Sequence, residues 1–205
     1  AINDNLNEAA PTNGSEAFAF MPKELLKNIK DQYSGVPLPL HMYGVDGLVT
    51  LWLDESATTD KLKIDNGVLD AGEKAYIFFG LRRGGSSYTA INVTDPANPI
   101  LMWSKSFDSA NSWSQPVVTN LRWKPNTTDK PVMIIGGGFN DDASGTEMPG
   151  GNNVYIIDAM TGNKVWSAAT AFSQSKVSNF TGAALPNAVP SRIRAFYLDR
   201  NNSVD

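Results

Sequence analysis

Four oxygen-bearing residues near the end of the chain, Asp199, Asn201, Ser203 and Asp205, stand at every second position. That spacing is found in linear calcium loops, where alternate residues turn carboxylate, amide and carbonyl oxygens onto a hard cation. A solvated Asp- and Asn-rich turn has the same composition, and the residues alone leave both readings open. A second acidic stretch, Asp65, Asn66, Asp70 and Glu73, is irregularly spaced and reads as a turn leading into a strand. Adjacent Asp141 and Asp142 read as solvating charges.

No catalytic constellation accompanies these residues. The chain has one histidine, His41, between Leu40 and Met42, and no cysteine. Cysteine nucleophiles, thiolate metal sites and disulfides are therefore excluded, and a Ser-His-Asp triad finds no support. The glycines of "LRRGGSS" and "IIGGGFN" follow strand-like runs but open no helix, so neither makes a phosphate or dinucleotide cradle. Arg82 and Arg83 are expected to pair with carboxylates or to cover a sheet edge. Net charge is −4 over 205 residues and no basic cluster exceeds those two arginines, which argues against a nucleic-acid partner. Apolar runs such as "AYIFFGL" are too short to span a bilayer.

The elements that would position such residues are short strands. In "VYIIDAMTGNKVWSA" a β-branched and aromatic run, Val154 to Ile157, meets the turn residues "DAMTGN" and resumes as a strand from Lys164 to Ser167. Gly162 is the natural positive-φ position, and Asp158 and Thr161 are placed to bond the turn backbone. The grammar recurs. "KPVMIIGGGFN" and "KAYIFFGLRRGG" are strands closed by glycines, and "SSYTAINVTDPANPILMWS" is strand, turn, strand. There Tyr88 matches Tyr155, Asn92 matches Asp158 one place out of step, and Trp103 matches Trp166. A degenerate copy is "HMYGVDGLVTLWLDE", where Tyr43, Asp46, Gly47 and Trp52 carry the pattern, and a fourth is expected around Asn13-Gly14 with Phe18.

Strand-turn-strand units with an aromatic after the turn predict an all-β fold: a modified β-propeller with irregular blades and an inserted α-helix, the aromatics plugging the seams between blades. A β-sandwich is the alternative. The helix is expected in "MPKELLKNIKDQY", with Pro22 at its first position and Leu25, Ile29 and Tyr33 as a core-facing stripe. Residues 1–205 read as part of one propeller domain, a section of a longer protein.

The ordered segments "YIFFGLRRGGSSYTAINVTDP", "SWSQPVV", "VMIIGGGFN", "NNVYIIDAMTGNKVWS" and "VPSRIRAFYLDRNNSVD" resemble the PilC/PilY family of type IV pilus-associated proteins. The resemblance implies that residues 1–205 are part of one C-terminal modified propeller domain in the bacterial periplasm, outer membrane or cell surface, with roles in pilus extension, adhesion and twitching motility. Its implied partners are pilin subunits or minor pilins and a host or surface ligand. It also implies a Ca2+ loop through Asp199, Asn201, Ser203 and Asp205, with Ser203 contributing its backbone carbonyl and Tyr197 standing where the family has its first Asp. A non-enzymatic role follows. Two other readings exist. The Trp166 hairpin is shared with periplasmic quinoprotein dehydrogenases, and a carbohydrate-binding module would use exposed aromatics, for which Trp113 and Trp123 are candidates, although core or edge cover is the better account of both.

Overall fold

In the computed structural model the described residues are 16–34, 42–54, 69, 72–121, 129–140, 150–168, 185 and 187–195. They are mostly β. The strands are β1 (Thr50–Asp54), β2 (Lys74–Gly80), β3 (Ser87–Asn92), β4 (Ile100–Ser106), β5 (Val117–Leu121), β6 (Lys130–Gly136), β7 (Val154–Asp158) and β8 (Lys164–Ser167). They form two open antiparallel meanders, β1-β2-β3-β4 and β5-β6-β7-β8.

The β7–β8 turn forms as its residues dictate. Asp158 Oδ1 accepts the backbone N–H groups of Met160 and Thr161 at 3.0 and 2.9 Å, and Thr161 Oγ1 accepts that of Asn163. Gly162 takes φ +65, a conformation that a Cβ would strain. Asn92 performs the shorter version after β3, accepting the Thr94 N–H at 2.9 Å.

Register defines how the two sheets correspond. Gly80 and Gly136 close the second strand of each sheet, opposite Tyr88 and Val154. Trp103 lies opposite Ala90 and Trp166 opposite Ile156, and in both sheets the register slips at the next residue. Trp103 and Trp166 are therefore equivalent, as the sequence predicts. Tyr88 corrects the expected alignment: it corresponds to Val154, not Tyr155, and Asn92 and Asp158 are in step. Trp52 is also reassigned. Residues 42–49 form no strand, so there is no hairpin, and Trp52 sits on the first strand opposite Tyr76, where the second sheet has Thr119.

Side chains alternate across a strand, so each sheet has two distinguishable faces. The first sheet buries Tyr76, Phe78, Tyr88, Ala90 and Trp103 against Met133, Ile135, Tyr155 and Ile157 of the second. By the register above, these two sets lie on opposite faces of equivalent sheets. The sheets thus stack front to back. Phe107 links them, its ring 6.1 Å from those of Tyr88 and Trp103 and 6.4 Å from Tyr155.

Trp103 fastens the seam. Its indole N–H donates to the Ala159 carbonyl at 2.9 Å, and a Cβ added to Gly162 would fall 2.7 Å from its ring. Lys105, two residues on, donates to the Thr161 and Gly162 carbonyls. At the opposite margin Thr50 Oγ1 of β1 donates to the Pro116 carbonyl just before β5.

The helix departs from expectation. Pro22 precedes a 3₁₀ turn, Lys23–Leu26, and only then does α1 (Lys27–Tyr33) begin. Leu25 packs with Phe79, Leu81 and Ile91 on the outer face of the first sheet. Ile29 and Tyr33, the rest of the predicted stripe, are 44% and 92% exposed. The tight turn breaks the 3.6-residue period that placed them in line with Leu25.

Candidate functional site

A group of hydrogen-bonded polar and stacked aromatic side chains lies at the end of the sheets where the β2–β3, β4–β5 and β6–β7 connections meet. Its centre is Ser112-Trp113-Ser114. Both serines are buried, at 2% and 1% exposure, so the intervening Trp113 is directed outward. Ser112 Oγ accepts the Leu81 and Arg82 N–H groups at 2.8 and 3.3 Å and lies 3.0 Å from the Gly85 and Ser87 carbonyls. Ser114 does the same for the second sheet: its Oγ accepts the Gly136 N–H at 2.9 Å and donates to the Ser191 carbonyl at 2.8 Å. Each serine satisfies backbone groups that burial would otherwise orphan.

Two arginines converge on this frame. Arg83 Nε donates to Asp46 Oδ2 at 2.7 Å, its guanidinium donates to the Tyr43 hydroxyl at 3.2 Å, and it stacks 4.5 Å over the Tyr43 ring. Hydrogen bonding to Asp46 holds its pKa above the ordinary arginine value. Arg82 stacks 4.7 Å over Trp113, whose ring meets Phe139 at 89° and 6.0 Å. The expectation of carboxylate pairing is met at Arg83. Arg82 has no carboxylate partner among the described residues.

The loop carrying both arginines is clamped from the helical side. Glu24 Oε1 and Oε2 accept the Ser86 and Ser87 N–H groups, both at 3.1 Å. Burial alone would raise the Glu24 pKa, but the donors of Ser87 and Ser86 and the Lys27 charge bring it below the usual value. Asp108 plays the corresponding part in the seam. Its Oδ1 accepts N–H groups of Ser109, Gly151 and Ala110, and its Oδ2 accepts the Tyr155 hydroxyl at 2.8 Å. Burial again opposes the charge, and these donors outweigh it, leaving the carboxyl below the ordinary range. Burial and the Asp108 charge push the Tyr155 phenol upward.

Asp199, Asn201, Ser203 and Asp205, the expected cation ligands, lie outside the described residues, as do Tyr197, His41, Trp123, Asp65, Asn66, Asp70, Asp141, Asp142 and the Asn13-Gly14 turn. Among the described residues no three His, Cys, Asp or Glu side chains gather as metal ligands, and no helix is long and apolar enough to cross a membrane.

No protein-family model matches the chain. The type IV pilus biogenesis factor PilY1 homolog of Xylella fastidiosa is 26% identical over 203 residues, 94% of this chain. The resemblance to the PilY1 proteins holds. PilY1 of Pseudomonas aeruginosa is 26% identical over 168 residues, 78% of this chain. The chain spans only 14% and 12% of the length of these two relatives. The crystal structure of the P. aeruginosa PilY1 C-terminal domain overlays with a TM-score of 0.47 at 22% identity, covering 76% of this chain and 26% of that one. The segments that carry this PilY1-like character have structural work here: "SWSQPVV" supplies the two serine anchors, "LRRGG" the stacked arginines, and "AMTGNKVW" the turn that abuts Trp103 in the seam.

Proposed function

We propose that the chain is part of a type IV pilus biogenesis factor that acts without catalysis, as a rigid β scaffold outside the cytoplasm supporting pilus extension, surface adhesion and twitching motility. The observation that carries this reading is similarity to a PilY1 homolog along 94% of the chain. The test is genetic. Deleting the gene in the bacterium of origin should reduce surface pili and shrink twitching zones, and the intact gene, but not one lacking this segment, should restore both. Unchanged piliation and twitching in the deletion strain would overturn the reading.

The fold within that reading is a modified β-propeller. Front-to-back stacking of equivalent sheets is a head-to-tail contact, which repeats and closes as a ring when its rotation allows. The outer face of the first sheet supports the extension: Leu51 and Leu101 are 59% and 51% exposed there, whereas Val118, the counterpart of Leu51, packs into the seam. A thiol introduced by Leu51→Cys should react freely in the 205-residue chain and be protected in a longer piece of the natural protein. Equal reactivity in both would argue against another sheet stacking on that face.

Calcium belongs to the same proposal. Asp199, Asn201, Ser203 and Asp205 offer only oxygen donors, the set that a hard cation takes, and the ion would supply charge compensation that orders the loop.

A further inference from the structure

We propose that Arg82, held against Trp113 at the loop end of the two sheets, is the anchor for a carboxylate presented by an acidic peptide segment of a protein partner. The inference is independent of the pilus reading. It starts from an imbalance between neighbours. Arg83 has an acid, Asp46, at 2.7 Å and a phenol, Tyr43, at 3.2 Å. Arg82 has neither among the described residues; its guanidinium carbon lies 4.7 Å from the centre of the Trp113 ring, a cation–π contact that satisfies none of its N–H donors with an oxygen. Those donors make a fork that fits the two oxygens of one carboxylate. Tyr43 and Trp113, the latter packed on Phe139, put apolar surface on one side of the arginines, which strengthens a charged hydrogen bond made there.

The backbone points the same way. Arg82 has φ +54, the one positive value among described non-glycine residues, in a region that a Cβ makes unfavourable. Glycine would fit this position without strain. Arginine is instead held in place by Ser112 Oγ on its N–H and by the Gly85 N–H on its carbonyl. A strained residue over-determined by its surroundings, whose side chain meets no carboxylate among the described residues, fits the pattern of a ligand clamp.

The chemistry selects a peptide over a glycan. A sugar ring needs a free aromatic face, and here Trp113 is engaged by Arg82 and Phe139, and Tyr43 by Arg83. Of the two stacked arginines, Arg83 is neutralised by Asp46, and Arg82 meets no carboxylate among the described residues, which leaves it suited to one carboxylate from a partner.

The Trp113 indole and Arg82 Nε resonances of the 15N-labelled 205-residue chain would be followed by NMR during titration with the peptide Ac-Gly-Asp-Gly-NH2. Both resonances should shift saturably, and the Asn analogue of the peptide should leave them unmoved. Arg82→Lys keeps the charge but not the fork, and should bind roughly tenfold more weakly. Arg82→Gly should abolish the response while melting no lower than the parent, because the strain is relieved. The proposal is overturned by an absence of saturable shift, by equal binding in Arg82→Gly, or by galacturonate binding more tightly than the Asp peptide. If Arg82→Gly fails to fold, Arg82→Lys decides: undiminished binding there overturns the proposal.

Discussion

The contact between Trp103 and the β7–β8 turn can be broken from either side, and both changes have a size set by geometry. Trp103 is 6% exposed, and its indole N–H is held by the buried Ala159. Trp103→Ala removes a large core side chain and is expected to destabilise by about 3–5 kcal/mol. Trp103→Phe keeps most of the apolar surface but leaves the Ala159 carbonyl without its donor, for about 1–3 kcal/mol. From the other side, Gly162→Ala must hold φ +65 and push a methyl group into the Trp103 ring, so a loss of about 2 kcal/mol is expected. Gly44→Ala is the control, with no atom within 4 Å of the added Cβ. In urea, with a slope of about 2 kcal/mol/M, the Trp103→Ala midpoint should fall by about 2 M and that of Gly44→Ala should stay close to the parent's. Trp166, equivalent in register but half-buried and facing away from this seam, should matter less. A Trp103→Ala shift below about 0.5 M, or an equal shift in Trp166→Ala, would refute the claim that this indole fastens the two sheets.

Two further predictions concern charge. Because the folded pKa of Asp108 lies below its unfolded value near 3.9, its contribution to stability is present above that value and is lost as pH falls through the folded pKa. Thermal melts from about pH 6 down to about pH 2 should show this decline, and Asp108→Asn should flatten it; an unchanged profile would remove Asp108 from the account. Adding calcium to a protein extended past Asp205 should raise its melting temperature, an effect that a chelator reverses and that Asp199→Asn reduces. No shift at millimolar calcium would remove the metal proposal.

Local chemistry made part of this fold legible. The β7–β8 hairpin follows from a β-branched run, an Asp that bonds the turn backbone and a glycine where φ is positive, all within fifteen residues. Trp103 and Trp166 match in sequence because each trails such a turn. Long-range pairing was not legible. The partner of Trp52 is Tyr76, and nothing around Trp52 announces a strand so distant in sequence. The helix misled for another reason: Leu25, Ile29 and Tyr33 are spaced for an α-helix, but the chain enters through a tighter turn, so the stripe swings away from the sheet after Leu25. The arginine-aromatic cluster draws on four separate connections and has no sequence signature as a unit. One signal was available: in Ser-Trp-Ser, the alternation of small polar residues around an indole marks which side faces in.

The mistaken match of Tyr88 with Tyr155 is instructive about the architecture itself. Were the two tyrosines equivalent, both buried against a common centre, the sheets would present the same face to each other, as in a sandwich. The register puts Tyr88 opposite Gly80 and Tyr155 opposite Ile135, one residue beyond Gly136 in the pairing, so the tyrosines occupy opposite faces of corresponding sheets. Yet both approach Phe107 within about 6.5 Å and lie in one core. Both conditions hold only if the front of one sheet meets the back of the next. Such a contact is not self-complementary: it leaves a back face on the first sheet and a front face on the second, each with apolar residues, exposed Leu51 and Leu101 on one and half-buried Ile156 and Trp166 on the other. Trp166 then has in the second sheet the position from which Trp103 fastens the first, and a further sheet with a carbonyl where Ala159 stands would give its indole the same bond.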